Sequence, residues 1–423
     1  MPILGIDDTD SKTEMCTTYL TIEILKNTSL DLIGYPKLVR LNPNIPLKTR
    51  GNAAISLTLG RGEGEKSTIG MINDDEIHSF ARFRDEKLDI DVMSVIEKFS
   101  PKDPDTNPAM LINSEKNDEM FYWDAVREFV DYKRVLAAAK GDFRTINGDI
   151  GIVGANAAIS WPEKNPTYEL IAYLDKGKWM GDHFVDDSSS QLIEREFKDT
   201  FDNFDFRNNY NAIRPTTKTP VLFGIRGVDP IKLNGLEKYV KSEPYTSYIM
   251  YKTNQATDDH LVERSIGESA IYNSSIIRGF VSSGPVWNRG GVLTFEITSS
   301  GDSITAVAME PTKEFRTVLS ELKKGDEVRV YGGITKVGFI NIEKIDIVSV
   351  SRIKEVRPPV CSNCKTRMES AGRSAGFRCR KCGAKSKIGE TREEKRGIAP
   401  GFYEVPIIAR RHLARPLKLG IVK

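Results

Sequence analysis

Three carboxylates and two adjacent hydroxyls stand close together near the start of the chain. The apolar run at 2–6 predicts a strand, and Asp7, Asp8 and Asp10 follow it directly. Thr17 and Thr18 come seven residues later, where a helix is predicted to open. Hard oxygen ligands at a strand end suit Mg²⁺, and a threonine opening a helix can receive or position a phosphoryl group. The pattern predicts a Mg-nucleotide site, although Asp and Thr also cluster at ordinary turns and helix caps.

A basic loop is the second part of this predicted site. Arg40 leads into the stretch 41–53, which contains the candidate phosphate-binding residues Lys48, Arg50, Gly51 and Asn52. Basic groups and a loop beside the acidic residues would stabilise the phosphates of a Mg-nucleotide complex. A solvated loop would have the same composition, so this alternative stays open.

Four of the five cysteines form two CxxC pairs separated by fourteen residues, namely Cys361, Cys364, Cys379 and Cys382. This spacing is typical of a zinc ribbon, in which four thiolates bind one tetrahedral Zn²⁺ and leave no open position, so the metal is structural. A redox pair is the alternative for a single CxxC, but two matched pairs among many Lys and Arg favour the metal. Cys16 lies outside the set and is expected to be a small buried packing residue.

The charge is distributed unevenly along the chain. From Arg352 to Lys423 there are nineteen Lys and Arg against six Glu and no Asp, a net charge of +13. The whole chain carries +2, so the preceding residues carry −11. Lys and Arg supply the sequence-independent part of nucleic-acid affinity, so the pattern indicates a basic module that grips phosphates, joined to an acidic body.

Short β runs between about 270 and 350 predict a small barrel. They are the stretches 275–281, 292–297, 303–308, 327–333 and 341–345. A helical stretch at 313–322 falls between the third and fourth runs, which matches an OB-fold, and OB-folds commonly bind oligonucleotides. The total of 423 residues implies three to four domains.

The middle of the chain predicts an α+β layer. A long helix is expected at 123–140, strands at 168–174 and 220–227, and a helix at 192–201, which together suggest a ferredoxin-like arrangement. The glycines at 148–154 fit neither the dinucleotide nor the P-loop spacing and are interpreted as tight turns. Asp202 and Asp205 could bind an organic cation through charge-assisted hydrogen bonds, or could be plain turn residues.

Several strings of this sequence resemble the archaeal isoleucine-tRNA agmatinylcytidine synthetase family. They lie at 5–11, 15–19, 40–46, 48–53, 221–227 and 253–258. The barrel and the terminal zinc ribbon extend the resemblance from end to end. One departure is visible, since Glu14 stands where the family pattern has a glycine, and a stiffer loop is expected there.

The resemblance implies a multidomain α+β protein in four parts. These are an RNA-kinase-like α/β catalytic domain at 1–122, a ferredoxin-like domain at 123–268, an OB-fold β-barrel at 269–351 and a basic zinc ribbon at 352–423.

The resemblance also implies the reaction. Agmatine replaces the 2-carbonyl oxygen of the wobble cytidine in the CAU isoleucine tRNA, and the product, agmatidine, reads AUA. ATP is cleaved to AMP and two phosphates, and the base is activated by phosphorylation. By motif match, Thr17 is the threonine that becomes phosphorylated, and the neighbouring Asp7, Asp8 and Asp10 would then hold Mg²⁺ or position the nucleotide and the threonine. An acidic body attracts the agmatine dication, so Asp202 or Asp205 is a candidate ligand of agmatine.

Two other interpretations remain. In one, the chain is a non-catalytic OB and zinc-ribbon protein that binds RNA, and the acids form only a turn. In the other it is an aminoacylating enzyme or a general ATP-dependent nucleic-acid ligase, which would need an AMP-linked intermediate and a lysine or class-type signature that is not found in the sequence. No apolar run approaches the ~20 residues that span a bilayer, and the start has no leader pattern, so a soluble, unprocessed cytoplasmic protein is expected.

Overall fold

The computed structural model describes residues 1–11, 14–46, 48, 51–216, 218–372 and 375–420. The α-helices are α1 (Tyr19–Asn27), α2 (Val92–Phe99), α3 (Met120–Arg127), α4 (Tyr132–Ala138), α5 (Ile152–Ser160), α6 (Asp187–Glu196), α7 (Pro230–Leu233) and α8 (Glu314–Ser320). Short 3₁₀ helices occur at Lys176–Lys178, Leu236–Tyr239, Arg289–Gly291, Ile407–Ala409 and Leu417–Leu419. None of the described helices is both long and apolar enough to cross a bilayer.

The strands fall into two groups along the chain. The first group is β1 (Ile3–Asp7), β2 (Asp31–Ile33), β3 (Lys37–Arg40), β4 (Ala53–Ile72), β5 (Asp75–Arg84), β6 (Ala109–Asn113), β7 (Asp142–Thr145), β8 (Thr167–Tyr173), β9 (Phe204–Asp205), β10 (Tyr210–Asn211), β11 (Val221–Gly227) and β12 (Ser247–Thr253). The second group is β13 (Leu261–Glu263), β14 (Ser274–Asn288), β15 (Val292–Ser299), β16 (Asp302–Ala308), β17 (Glu327–Lys336), β18 (Phe339–Ser349), β19 (Lys354–Arg357), β20 (Glu369–Ser370), β21 (Phe377–Arg378), β22 (Lys385–Ser386), β23 (Glu390–Glu393) and β24 (Gly401–Glu404).

One ten-stranded sheet organises the first half of the chain. Its main path is β11–β8–β12–β3–β4–β1–β6–β7, with β2 and β5 paired to β4 and to each other. Strand β12 pairs in parallel with β3, where Thr253 faces Leu38, and antiparallel with β4, where Ser247 faces Ile72. The sheet is therefore continuous across the boundary expected at residues 122 and 123.

Helix α5 lies directly on strand β1. A Cβ added to Gly5 would lie 2.0 Å from the carbonyl oxygen of Ala155, so only glycine lets the helix backbone approach the strand this closely. The helix is short and apolar, and its side chains from Ala155 to Ser160 are buried. This contact places the start of α5 beside the end of β1, where the three carboxylates emerge.

The prediction of one long helix at 123–140 is wrong, because two shorter helices, α3 and α4, occupy this stretch. Glu128 ends α3 in an extended conformation, with φ −137°. Asp131 then starts α4 anew, because its carboxylate accepts a hydrogen bond from Lys133 N at 3.0 Å. The helix expected at 192–201 also begins earlier, because Asp186 caps α6 at Asp187.

A closed five-stranded barrel follows, as the β runs predicted. Its strands run β14–β15–β16–β18–β17, and β17 pairs back to β14 to close the barrel. Strands β16 and β18 are parallel, the other neighbours are antiparallel, and α8 lies between β16 and β17 in sequence. The core contains Ile277, Phe295, Val330 and Ile345.

After the cysteine cluster the chain returns to the rest of the molecule. Strand β24 pairs with β18 of the barrel. The segment that follows reaches the large sheet, where Leu413 is 1% exposed and packs in one cluster with Tyr122 and Trp161. The last described residues are therefore part of the folded body.

A buried ion pair fixes the start of this return. Arg396 donates two hydrogen bonds to Asp326, at 2.8 and 2.6 Å, and Lys323 N and Ser351 N also donate to that carboxylate. The Asp326 side chain is 0% exposed and that of Arg396 8%. Burial raises the pKa of Asp326, but these donors outweigh burial and hold it below its usual value.

We expect Asp326→Asn to lower the free energy of unfolding by about 3 kcal/mol, because it leaves the Arg396 guanidinium buried without a counter-charge. Urea unfolding at neutral pH measures this change. Since the folded pKa of Asp326 is depressed, the stabilisation is complete above the unfolded pKa and is lost as the pH falls below it. Asp199→Asn removes the exposed pair with Lys232, at 2.8 Å, and should cost much less, because solvent screens this pair. Equal losses in both variants would contradict this account.

Candidate active site

A cavity of about 1080 Å³ opens beside the end of β1 and the start of α5. It is lined by residues from seven parts of the chain, namely 7–18, 38–53, 125–132, 150–154, 169–171, 210–226 and 411–413. Asp7, Asp8, Asp10, Thr17 and Thr18 all line it, together with Lys48, Gly51 and Asn52. Arg50 lies outside the described residues. The structure therefore gathers the two predicted halves of the site, acidic and basic, around one space.

The acidic half follows β1 and is shaped by an unusual backbone. Asp8 has φ +55°, in the left-handed region, and its Oδ2 accepts a hydrogen bond from Asn107 N at 3.0 Å. The carbonyl oxygen of Asp10 accepts a hydrogen bond from Thr106 Oγ1 at 3.0 Å. These contacts with the loop before β6 hold the carboxylates at the cavity wall.

Burial and mutual repulsion perturb these carboxylates. Burial, and then the negative charge of Asp8, raise the pKa of Asp7 well above its ordinary value. Burial raises the pKa of Asp8 to about 6, although the hydrogen bond from Asn107 counteracts it. Such carboxylates are stabilised in the ionised form by a nearby cation.

The two hydroxyls lie at the start of α1. Thr17 and Thr18 are each 4% exposed. Thr17 Oγ1 accepts a hydrogen bond from Thr9 Oγ1 at 3.1 Å, so its own O–H can donate elsewhere. Tyr251 donates to the carbonyl oxygen of Thr18 at 2.8 Å, and this bond ties the segment to β12. Cys16 lines the cavity beside them rather than being fully buried.

Position 14, where Glu14 departs from the family pattern, does not require a glycine in this structure. Glu14 N donates to Ser11 Oγ at 2.9 Å and Ser11 N donates to Glu14 O at 3.0 Å, so the two residues close a turn. The left-handed residue described in this loop is Met15, with φ +58° and a fully buried side chain. Lys12 and Thr13 lie outside the described residues.

The glycines at 148–154 prove to serve the site, a role that sequence reasoning missed. A Cβ at Gly154 would lie 1.7 Å from Asp7 Oδ2 and 2.9 Å from Leu41 Cδ1. A Cβ at Gly151 would lie 2.5 Å from the carbonyl oxygen of Asn107. The signal in the sequence was their spacing of three, which places glycines on one face of the helix start.

The basic half contains a buried charge cluster that sequence reasoning also missed in part. Glu169 Oε1 accepts a hydrogen bond from Arg226 Nε at 3.2 Å, and Glu169 Oε2 lies 3.7 Å from Arg40 Nη2. Two guanidinium groups thus share one carboxylate, which leaves a net positive charge at the wall. The available signal was a charged residue inside the otherwise apolar strands β8 and β11.

The basic loop approaches this cluster. A Cβ at Gly51 would lie 2.6 Å from Arg40 Nη1. Asn52 Nδ2 donates to the carbonyl oxygen of Asn42 at 2.8 Å, and Lys48 Nζ donates to that of Pro43. Burial and the nearby Arg411 lower the pKa of Lys48.

Asp202 and Asp205 do not line the cavity. Asp202 forms an ion pair with Arg410. Asp205 accepts hydrogen bonds from Arg207 N and Asn208 N, both at 3.2 Å, and from Ile408 N at 3.4 Å. Both carboxylates therefore hold the C-terminal segment in this structure.

The four cysteines form a metal site separate from the cavity. Their sulfur atoms all lie within 4.8 Å of one another, with Sγ distances of 3.8 Å between Cys361 and Cys364, and 3.6 Å between Cys364 and Cys379. Thiolates about 2.3 Å from one tetrahedral Zn²⁺ would be about 3.8 Å apart, so the sulfur positions fit this ion.

Family models match most of this chain. A model described as the TiaS TCKD domain matches residues 3–145, one described as the TiaS FLD domain matches 149–260, and one described as the TiaS C-terminal zinc ribbon domain matches 358–398.

Whole-length relatives agree with these models. The isoleucine-tRNA 2-agmatinylcytidine synthetases TiaS of Thermoplasma volcanium and Archaeoglobus fulgidus are 40% and 38% identical to the chain, covering 98% of it and 97% and 96% of their own lengths. The crystal structure of a TiaS complex with its isoleucine tRNA and ATP superposes with a TM-score of 0.85 at 35% identity, covering 100% of this chain and 98% of that one. The TiaS complex with the same tRNA, AMPCPP and agmatine superposes with a TM-score of 0.81 at 32% identity, covering 98% and 96%. At this similarity over almost the full length of each, the chain belongs to the isoleucine-tRNA 2-agmatinylcytidine synthetase family, TiaS.

Proposed function

We propose that this chain uses ATP to condense agmatine with the 2-carbonyl carbon of the wobble cytidine of the CAU isoleucine tRNA. The product is agmatidine, which reads AUA. The observation that carries the proposal is that carboxylates, a threonine pair and guanidinium groups line the same cavity. The related crystal structures are complexes with an isoleucine tRNA and ATP, and with the same tRNA, AMPCPP and agmatine, and the match to them runs along nearly the whole chain.

The reaction needs activation of a poor leaving group. Phosphoryl transfer from ATP to the cytosine 2-oxygen gives a phosphate ester at C2. The agmatine amine attacks C2, the C–O bond breaks, and the oxygen leaves with phosphate. A water molecule hydrolyses the other phosphoanhydride bond of the nucleotide, so ATP ends as AMP and two phosphates, one of which carries the cytosine oxygen. Phosphoryl transfer depends mostly on positioning and on stabilising the charge of the transferred group, which the two halves of the cavity supply.

The acidic half would handle the phosphoryl group. Thr17 receives or positions it, with Thr18 at the helix start beside it. Asp7, Asp8 and Asp10 position the nucleotide and the threonine. An unpaired anticodon base costs little to flip into such a cavity.

Mg²⁺ fits the acidic half. Among the described residues, the cysteine cluster alone brings three or more ligand-type side chains within 4.8 Å of one another. Mg²⁺ commonly takes only one or two carboxylates and completes its shell with water and phosphate oxygens. The buried, mutually repelling Asp7 and Asp8 suit such a cation. When bound, it would neutralise charge on the transferred phosphoryl group.

The basic half would bind the phosphates. Arg40 and Arg226 offer guanidinium donors in an enclosed space, and the basic loop adds Lys48, Arg50, Gly51 and Asn52.

The agmatine ligands proposed from sequence, Asp202 and Asp205, are engaged elsewhere in this structure. For Asp202 to bind agmatine, Arg410 would have to leave it.

The remaining parts would hold the tRNA in the cytoplasm. We assign a kinase-like domain to 1–122, a ferredoxin-like domain to 123–268, an OB-fold to 269–351 and the basic zinc ribbon to 352–423. The strand order of the barrel, with its parallel β16–β18 pair, supports the OB-fold. The basic charge of the C-terminal part suits contacts with the tRNA backbone, which leave the base to the cavity.

The proposed reaction predicts a mass change at one nucleoside. With unmodified CAU isoleucine tRNA, ATP, Mg²⁺ and agmatine, the wobble cytidine should gain the mass of agmatine less water, and only when ATP is present. Thr17→Ala should abolish the change, whereas Thr17→Ser keeps the hydroxyl and should retain activity. Mass spectrometry of the digested tRNA measures both. Bound tRNA with an unchanged wobble nucleoside would instead favour a protein that only binds RNA.

Gly154→Ala should reduce agmatidine formation about 100-fold, because the added methyl group must displace the Asp7 carboxylate. Initial rates at saturating substrate measure the loss. The matched control is Gly177→Ala, since nothing lies within 4 Å of the added Cβ there. Full activity of Gly154→Ala with an unchanged melting temperature would show that the position of Asp7 is unimportant.

Cys379→Ser should remove zinc from the protein, because tetrahedral binding in this site needs all four thiolates. Elemental analysis should find one zinc per chain in the wild type and in Cys16→Ala, and almost none in Cys379→Ser. Affinity for the tRNA should fall together with the zinc. Retention of stoichiometric zinc by Cys379→Ser would rule out the four-cysteine site.

A further inference from the structure

The segment after the zinc ribbon supplies part of the cavity wall. Arg411, His412 and Leu413 line the cavity, although they lie about 400 residues from the carboxylates in sequence. Ala256 N donates to the carbonyl oxygen of His412 at 2.8 Å, and Asp258 N donates to that of Leu413 at 2.9 Å. With Leu413 buried in the core, the backbone at His412 is held in place.

Hydrogen bonding determines which ring nitrogen of His412 carries the proton. The carboxylate of Glu169, paired with Arg226, can only accept, so the Gln255 amide must turn its Nε2 towards Glu169. Gln255 Oε1 then faces His412 and lies 3.2 Å from Nδ1. An amide oxygen accepts, so Nδ1 carries the hydrogen, and Nε2 presents its lone pair.

The surrounding charges keep this ring neutral. The positive charge of Arg40, then burial, and then Arg226 lower the pKa of His412 well below its ordinary value. His412 therefore offers a hydrogen-bond acceptor at a wall that otherwise carries guanidinium donors.

The free nitrogen points to the space where substrate would lie. Within the described part of the chain Nε2 has no hydrogen-bond partner, and a Cβ added to Gly51 would lie 3.6 Å from it. The surrounding protein desolvates the His412 ring, yet the side chain keeps an exposed surface and lines the cavity. A lone pair repels phosphate oxygens, so this position suits a substrate group that donates a hydrogen bond.

We propose that His412 Nε2 accepts a hydrogen bond from an N–H group of a bound substrate, which makes the C-terminal segment part of the active site. This rests on the proposed function, whose substrates offer such groups, among them the amine and the guanidinium of agmatine and the 4-amino group of cytosine. Glu169 and Gln255 act through His412 and are positioning residues.

The test compares replacements of His412. His412→Phe keeps a ring but loses the acceptor, and kcat/KM for agmatidine formation should fall about 10- to 100-fold, because a substrate donor is left unpaired. His412→Gln has an amide oxygen that can take the place of Nε2, so it should be about tenfold more active than His412→Phe. If phenylalanine prevents folding, His412→Ala serves the same comparison. Zinc content and melting temperature should match the wild type.

A control variant and separate titrations of agmatine and of tRNA accompany these replacements. The control is Lys418→Ala, a change in the same C-terminal segment as His412. It removes a surface ion pair with Glu194 of α6, at 2.6 Å, and should leave the kinetics unchanged. A raised KM for agmatine alone identifies agmatine as the donor, and a raised KM for tRNA alone identifies the cytosine.

Two results would overturn the proposal. One is His412→Phe, or the alanine variant, with kcat/KM within twofold of the wild type. The other is His412→Gln impaired as severely as His412→Phe. Both results are measured against an active wild type. If the wild type forms no agmatidine, the proposed function itself fails, and this outcome is distinct from either of the two.

Discussion

The site depends first on the close approach of helix α5 to strand β1. Gly5 lets the helix backbone reach the strand, and Gly154 leaves room for the Asp7 carboxylate under the first turn of the helix. A methyl group at either position would overlap its neighbour by more than 1 Å relative to ordinary contact. This packing sets where the strand ends, and therefore where the buried carboxylates enter the cavity. The other walls are arranged around that point.

Opposite charges share the cavity without cancelling each other. On one wall, burial raises the pKa of Asp7 and Asp8, and on the other, Arg40 and Arg226 share the carboxylate of Glu169. A magnesium nucleotide carries both charges, cation and phosphate, so it would complement both walls at once. The C-terminal segment reaches the same space after the chain has passed through the barrel and the zinc site.

Sequence reasoning recovered what local patterns encode. The carboxylates after β1, the threonines before α1, the barrel strands and the zinc ligands each depend on short-range spacing. The break between α3 and α4 was missed, because the apolar pattern was read as one helix and the capping of a new helix by Asp131 was not considered. His412 and the pairing of Asp202 with Arg410 were missed because each joins residues more than 150 positions apart, and no local pattern records such a contact.

Activation of the cytosine oxygen by phosphorylation, before agmatine displaces it, is tested most directly with tRNA whose wobble cytidine carries ¹⁸O at the 2-position. The enzyme converts this tRNA with ATP and agmatine. Mass analysis of the released products follows the label. The account predicts that ¹⁸O appears in inorganic phosphate in proportion to agmatidine formed. Label recovered in AMP would mean that the base is activated by adenylyl transfer, and label recovered in water would mean that no phosphate ester forms; either result would contradict the account.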